Sequence, residues 1–528
     1  MKEVVNMDEV VGIVVGISKP TEFYFVTDES KQQPLWEYVM VKGKEYIDGE
    51  ERDVQVLAQI CNQNSQSDML PYDMSLDIAE KVSTSGMAEK RIVMKARVMG
   101  FVHNGKIYQV RRAVHPGSYV YRAPDNLLRD FYSYDEDEAL HIGYLLNRNV
   151  PVSISLKGFR RHLAILAQTG AGKSYTTGVL MEELLEKGAT VIVLDPHADY
   201  VRFWQKVDGG HFTDRYTVYK TRESTGRYDE SQIPKLKYYE VKFSDLEDEE
   251  IFEIAGIPEK YSNIREAISK TIEKLKNENK DYTIDEFIEH LKTIKIDKDK
   301  HVGEKAVKYI KKLKKLRVWG DTSTPLDYFL KPKYVSILDL SGLNDAISNY
   351  IAYKILTELY ERANKGELKY PVFVVIEEAH RFIPKDSSTY AKDIIRKIAA
   401  EGRKFGIFLI LITQRPYKIH QDALSQCNSQ IILRIKNPED QKAVKISAEN
   451  LSEDLLGDLA GLNTGEAVIL GEITKVPVMV KIRERKTKEG GGDIDIVASL
   501  KKAREEADRE EKSMEESIKE IREMLGGD

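Results

Sequence analysis

Residues 167–174 read AQTGAGKS. A β-type run, 163–166, precedes them, and a helix-type run, YTTGVLMEELL, follows. Strand, glycine-rich loop and helix in this order is the setting of the phosphate-binding loop, G-x-x-x-x-G-K-[ST]. Gly172, Lys173 and Ser174 match it, Gly170 lies inside it, and Ala167 replaces the leading glycine. The backbone N–H groups of Gln168, Thr169, Gly170, Ala171 and Gly172 can curl around a β-phosphate, while the helix that opens through Tyr175 adds its dipole. Lys173 reaches the β- and γ-phosphates, and Ser174 ligates Mg²⁺. The expected ligands are therefore ATP and Mg²⁺, held by residues 168–175.

A hydrolase of this kind needs a carboxylate at a neighbouring strand end. The buried-type run 372–376 ends in Glu377–Glu378–Ala379–His380. Glu377 is the candidate metal partner, one methylene longer than the usual aspartate. Glu378 is placed to act as general base on the attacking water. Asp195 closes another strand-type run, 190–194; it is read either as an aid to Mg²⁺ and water or as a turn residue before Pro196. His197 and His380 have no second cluster of ligand types around them, and hydrogen-bonding roles are expected. Gln414, after the run 407–412, is either a γ-phosphate sensor or a structural turn residue. Arg403 and Arg161 stand just before strand-type runs. Each is a candidate arginine finger for a neighbouring subunit, the alternative being an ordinary surface charge.

These residues need a scaffold of alternating strands and helices. From 163 onward, runs at 163–166, 190–194, 335–340, 372–376, 407–412 and 430–435 alternate with helical stretches, the pattern of an α/β fold with a mostly parallel sheet. The highly charged block 245–318 reads as a helical insertion, with helices at 264–275, 284–291 and 306–316 and a shorter one near 248. Its run from Lys300 to Arg317 is basic and could touch DNA. The apolar stripe of Tyr309, Ile310, Leu313 and Leu316 instead favours one solvated helix face. Ahead of the core, short β-type runs at 10–15, 23–26, 38–41, 54–60, 91–98 and 106–110 predict a small β-barrel or sandwich used for docking. After Gly490–Gly491–Gly492, Met514, Ile518, Ile521 and Leu525 recur at helical spacing. They predict a tail helix packed on a neighbour or on its own core, the alternative being a merely solvated tail. The expected division is 1–145 barrel, 146–244 and 331–487 ATPase core, 245–330 helical insertion and 488–528 tail.

The chain has 528 residues, enough for several domains. Lys+Arg is 80 and Asp+Glu is 86, a net charge of −6, which excludes a protein that coats nucleic acid by bulk charge but not one with a local basic channel. The two cysteines, Cys61 and Cys427, have no paired spacing, so neither a disulfide framework nor a cysteine zinc site is expected. There is no signal-peptide plan, and the longest apolar stretch, 407–412, is too short to span a bilayer. A cytoplasmic protein without membrane segments is expected.

AQTGAGKS at 167–174, LDPHADY at 194–200, VVIEEAHRF at 374–382, EGRKFG at 401–406, ITQRP at 412–416, LSQCNSQIILRIKNPEDQ at 424–441 and GEITKVPVMVKIRER at 471–485 together resemble the HerA family of hexameric DNA translocases, in the HerA–FtsK group of RecA-like ATPases. The resemblance spans essentially the whole chain. It implies a RecA-like P-loop core, an N-terminal β-barrel, an inserted helical bundle and a C-terminal helical tail. It also implies a homohexamer with double-stranded DNA in the ring pore, and a NurA-like nuclease partner in DNA end resection for double-strand break repair. Arg403 falls on the family's trans arginine and Arg161 on a second one. Ala167 and Glu377 depart from the general P-loop pattern. A ring ATPase moving another polymer and a nucleotide-controlled scaffold are the alternatives.

Overall fold

Antiparallel and parallel strands separate into two sheets. The computed structural model describes residues 10–524 apart from 87, 89, 227, 279–280, 297–300, 449–450 and 491–495. Lys300, Gly491, Gly492 and Leu525, named above, lie outside the described residues. In the N-terminal part, Glu22–Thr27, Val10–Lys19, Tyr119–Arg122, Tyr38–Ile47, Glu50–Gln66 and Arg91–His103 pair in that order, all antiparallel. Glu22–Thr27 pairs again with Arg91–His103, which closes the six strands into a barrel. Closure removes the free sheet edges. Alternate residues face inward, and Phe23, Phe25, Val39, Val41, Met94 and Ala96 form its core.

The larger sheet has twelve strands among the described residues. Eight are parallel, in the order Leu236–Tyr238, Tyr216–Lys220, Tyr334–Asp339, Thr190–Asp195, Val372–Ile376, Ile407–Thr413, Leu163–Leu166 and Ser429–Leu433. Four antiparallel strands extend it: Glu466–Leu470, Val478–Ile482, Ala139–Leu145 and Pro151–Ser155. The division drawn at 145 thus falls in the turn of a hairpin that belongs to this sheet.

The central strands are buried on both faces, as parallel sheets require. Their side chains divide by alternation. Leu163, Ile165, Val191, Val193, Phe373 and Val375 face one way and pack on helix Lys173–Glu186 through Val179, Leu180 and Leu184. Ala164, Leu166, Ile192, Leu194, Val374 and Ile376 face the other way, toward helices Asp345–Asn364 and Lys392–Glu401. The insertion joins this second core. Its helices are Asp248–Ala255, Ser262–Asn277, Ile284–Thr293 and Val302–Leu313. Thr283 and Glu286 form a capping box that starts the third. On the fourth, Val302, Ala306, Ile310 and Leu313 are buried. Lys308, Lys311 and Lys312 lie in solvent, Lys314 pairs with Asp285 at 2.8 Å and Arg317 with Glu223 at 2.9 Å.

The tail forms the helix Ile496–Met524. Met514, Ile518 and Ile521 are exposed, so this apolar stripe is not buried on the chain's own core.

Candidate active site

All the polar residues of the site stand at the C-terminal ends of parallel strands, where an open α/β sheet forms its ligand crevice. Leu163–Leu166 is fully buried and delivers the chain into the loop 167–172. Gly172 ends the loop with φ 99°, a left-handed conformation that a side chain would strain, and Lys173 starts the helix. The loop is fixed from outside: Gln168 N donates to Arg434 O at 3.0 Å, and Gln168 Oε1 accepts from Lys436 N at 3.1 Å. Gly465 N donates to Ala171 O at 3.1 Å. The N–H groups of Gln168 and Ala171, expected to face a phosphate, are thus engaged within the fold, the latter with Gln168 O at 3.2 Å. The first N–H groups of the helix have no carbonyl one turn earlier and present donors to an anion.

Lys173 is buried and ion-paired with both glutamates: its Nζ donates to Glu377 Oε2 and lies 3.0 Å from Glu378 Oε1. Burial opposes the lysine's charge, but the two carboxylates raise its pKa above the ordinary lysine value. Glu377 has the reverse balance. Burial raises its pKa, and the attraction of Lys173 offsets this only in part. Its other oxygen accepts from the Tyr200 hydroxyl.

Glu378 sits at φ 48°, ψ 47°, an uncommon conformation for a non-glycine residue, of a kind that clusters at functional sites. Burial acts to raise its pKa, yet the His380 hydrogen bond and the Lys173 charge prevail and lower it to about 2. Gln414 Nε2 donates to Glu378 Oε1 at 2.7 Å, and the Thr169 hydroxyl donates to Gln414 Oε1. Gln414 therefore connects the phosphate loop to the carboxylate. His380 Nδ1 lies 3.2 Å from Glu378 Oε2 and 3.1 Å from Thr413 Oγ1. The hydrogen-bonding role expected of His380 matches this position, whereas His197 is exposed.

Of the two readings of Asp195, the geometry favours the turn. Its carboxylate is fully buried and accepts from the backbone N–H groups of His197 (3.3 Å), Asp199 (3.0 Å) and Tyr200 (2.9 Å). Burial and the nearby Asp199 raise its pKa well above the ordinary range. The carboxylate that reaches the loop is Asp199, which accepts from Ser174 Oγ at 2.6 Å. Sequence reasoning passed over Asp199 and Tyr200. Their only signal was membership in the run LDPHADY, which places them on the turn that Asp195 holds.

Arg403 and Arg161 are exposed and lie at the other edge of the sheet, before Ile407–Thr413 and Leu163–Leu166. About 23 Å and about 13 Å of strand separate those starts from the site edge. His162 joins the two arginine turns. Its Nδ1 accepts from Leu409 N at 3.0 Å, which leaves Nε2 to donate to Ala399 O at 3.0 Å. Burial lowers its pKa to about 4, so the ring is neutral at neutral pH.

The donor set fits Mg²⁺-ATP. Among the described residues no group of three or more His, Cys, Asp or Glu forms a metal cage. Mg²⁺ in such sites is held largely by phosphate oxygens and water, with one or two protein oxygens, and the Ser174 hydroxyl at the helix start is a suitable donor of that kind. No helix among the described residues is long and apolar enough to cross a membrane.

Residues 140–359 match the family described as Helicase HerA, central domain, and residues 333–485 that described as Helicase HerA-like C-terminal. The DNA double-strand break repair helicase HerA of Pyrococcus furiosus is 31% identical, over 92% of this chain and 95% of its own. The protein of that name from Sulfurisphaera tokodaii is 32% identical, over 94% and 97%. Among solved structures, VirB4 of Thermoanaerobacter pseudethanolicus aligns with a TM-score of 0.48 and 16% identity, over 66% of this chain and 98% of that one.

Proposed function

The chain belongs to the HerA helicase family, and from that membership we propose an ATP-driven double-stranded DNA translocase. In this reading it assembles as a cytoplasmic homohexamer and works with a NurA-like nuclease in DNA end resection for double-strand break repair. The observation that carries the reading is the convergence of Lys173, Glu377, Glu378, Gln414 and the Ser174–Asp199 pair on one phosphate-binding loop.

Mg²⁺ held with the help of Ser174 would neutralise phosphate charge. The protein supplies the rest. Lys173 exchanges its two carboxylates for the phosphates. That exchange frees Glu378 to take a proton from the attacking water. Gln414, bonded to both Thr169 and Glu378, senses the γ-phosphate and holds the base in place. Arg403 and Arg161 come from the next subunit, because their own strands carry them to the far edge of the sheet. DNA in the pore would be gripped through its phosphates, so binding should depend little on sequence and strongly on salt.

The test is ATP turnover with and without duplex DNA, and with and without the nuclease. DNA-stimulated turnover that falls steeply with salt supports the proposal. Turnover stimulated by an unfolded protein instead of DNA would replace it with a polymer pump of another kind, and negligible turnover would replace it with a scaffold.

A further inference from the structure

The run 471–485 ends in a charged residue that the site above does not use. Arg485 is buried on the face of helix Lys173–Glu186 that lies next to the phosphate loop. Its Nη1 donates to Ser174 O at 3.3 Å, and its guanidinium stands 5.8 Å from the centre of the Tyr200 ring. Its backbone N–H donates to the Tyr175 hydroxyl at 2.7 Å. Its Nε donates to Thr487 Oγ1 at 2.9 Å, Nη1 also to Glu489 Oε1 at 3.3 Å, and Nη2 to Lys488 O at 3.4 Å. The helix makes room for it. A Cβ on Gly178 would stand 2.3 Å from Arg485 Nε and 2.4 Å from Cζ.

The same segment reaches the turn that follows Asp195. Gly490 N donates to Asp199 O at 2.8 Å, and Lys488 N donates to Gln205 O at 2.7 Å. Residues 485–490 thus touch Ser174, Tyr175, Asp199 and Tyr200. Two of these direct side chains into the site: Ser174 toward Asp199, and Tyr200 toward Glu377. Farther along the helix, Arg483 pairs with Glu182 at 2.9 Å and Glu183 at 2.7 Å, well away from the loop.

We propose that Arg485 is a positioning residue for the metal-binding hydroxyl: it fixes the Ser174 backbone and the Tyr200 ring so that Ser174 and Asp199 meet the Mg²⁺ of the bound nucleotide. The proposal rests on the Mg²⁺-ATP reading of the site. Groups that orient a metal ligand without touching the metal act on metal affinity. Phosphate binding by the loop and Lys173 is much less sensitive to them.

The test uses full-length Arg485→Gln, with Gly178→Ala as a second variant that displaces the guanidinium without removing it. Binding of a fluorescent ATP analogue is measured in EDTA and across a Mg²⁺ titration, beside ATP turnover. Both variants should raise the half-saturating Mg²⁺ concentration about ten-fold or more, while affinity in EDTA changes less than about two-fold. Arg483→Gln is the control for simple attachment of the segment, and it should leave Mg²⁺ half-saturation within about two-fold of the parent. An unchanged Mg²⁺ titration in Arg485→Gln and Gly178→Ala overturns the proposal, whatever happens to turnover. So does an equal shift in Arg483→Gln. Absence of Mg²⁺-dependent binding in the parent protein overturns the functional reading itself, and this proposal with it.

Discussion

Replacing Glu378 with glutamine keeps the side-chain shape and removes one charge from the centre of the site. In the native protein that carboxylate accepts from Gln414 at 2.7 Å, lies 3.0 Å from Lys173 Nζ and lies 3.2 Å from His380. Burial alone would raise its pKa, but His380 and Lys173 bring it from the ordinary 4.5 down to about 2. At about 1.4 kcal/mol per tenfold change in proton affinity, that gap is worth about 3 kcal/mol in favour of the ionised form. Because the folded value is depressed, this stabilisation is complete above pH 4.5 and is lost as pH falls toward 2. Glutamine cannot take up the part that depends on charge. Since Lys173 still has Glu377, the fold should survive with a loss of at most about 3 kcal/mol. Turnover should suffer more: removing a general base costs roughly 10²–10⁴-fold, about 3–5 kcal/mol of barrier. The assay is phosphate release at saturating ATP from pH 5.5 to 8.5, beside equilibrium binding of a fluorescent ATP analogue. Binding should persist while turnover collapses at every pH. A variant that hydrolyses ATP within about three-fold of the parent would remove Glu378 from the role of base. In the nucleotide-free protein, where Lys173 still faces Glu378, a carboxylate infrared band that is lost in Glu378→Gln and titrates near pH 6–7 would refute the depressed pKa.

Lys173→Ala should abolish nucleotide binding and lower the urea midpoint, because it leaves Glu377 and Glu378 buried without their counter-charge. Mixing Arg403→Ala subunits with Lys173→Ala subunits should restore turnover at the interfaces where both residues are intact; if no ratio of the two restores it, catalysis is not shared between subunits. Asp195→Ala leaves three backbone N–H groups without their acceptor and should cost about 2–3 kcal/mol of stability by chemical denaturation; unchanged stability with a raised Mg²⁺ requirement would return Asp195 to the metal. Deleting residues 1–122 removes the closed barrel while sparing the 139–155 hairpin, and should abolish nuclease binding measured by co-sedimentation but keep ATP turnover.

The phosphate loop, the two glutamates after Val372–Ile376 and the glutamine after Ile407–Thr413 were legible because each is a local pattern: a short strand followed at once by the functional side chain. The alternation of strand and helix was legible for the same reason, since a strand buried on both faces must be apolar along its length. The barrel strands were legible as strands, and the family resemblance implied the barrel that the structure shows. The run pattern by itself left barrel and sandwich open, because closure depends on pairing Glu22–Thr27 with Arg91–His103, and local pattern does not encode that pairing.

The same difference separates the residues of the site. Amino-acid type and spacing determined the phosphate-binding chemistry: Lys173, Ser174, Glu377 and Glu378 declare it in two short segments. Tertiary structure alone decided which carboxylate meets Ser174. Asp195 and Asp199 are both acids on the same turn, and nothing in their order ranks them. Folding buries the first against three backbone N–H groups and turns the second toward the loop. It also carried Arg485 more than 300 residues along the chain to lie beneath Ser174. Local sequence encodes what a segment can do, whereas a contact between distant segments exists only once the sheet and the cores on its two faces have brought them together.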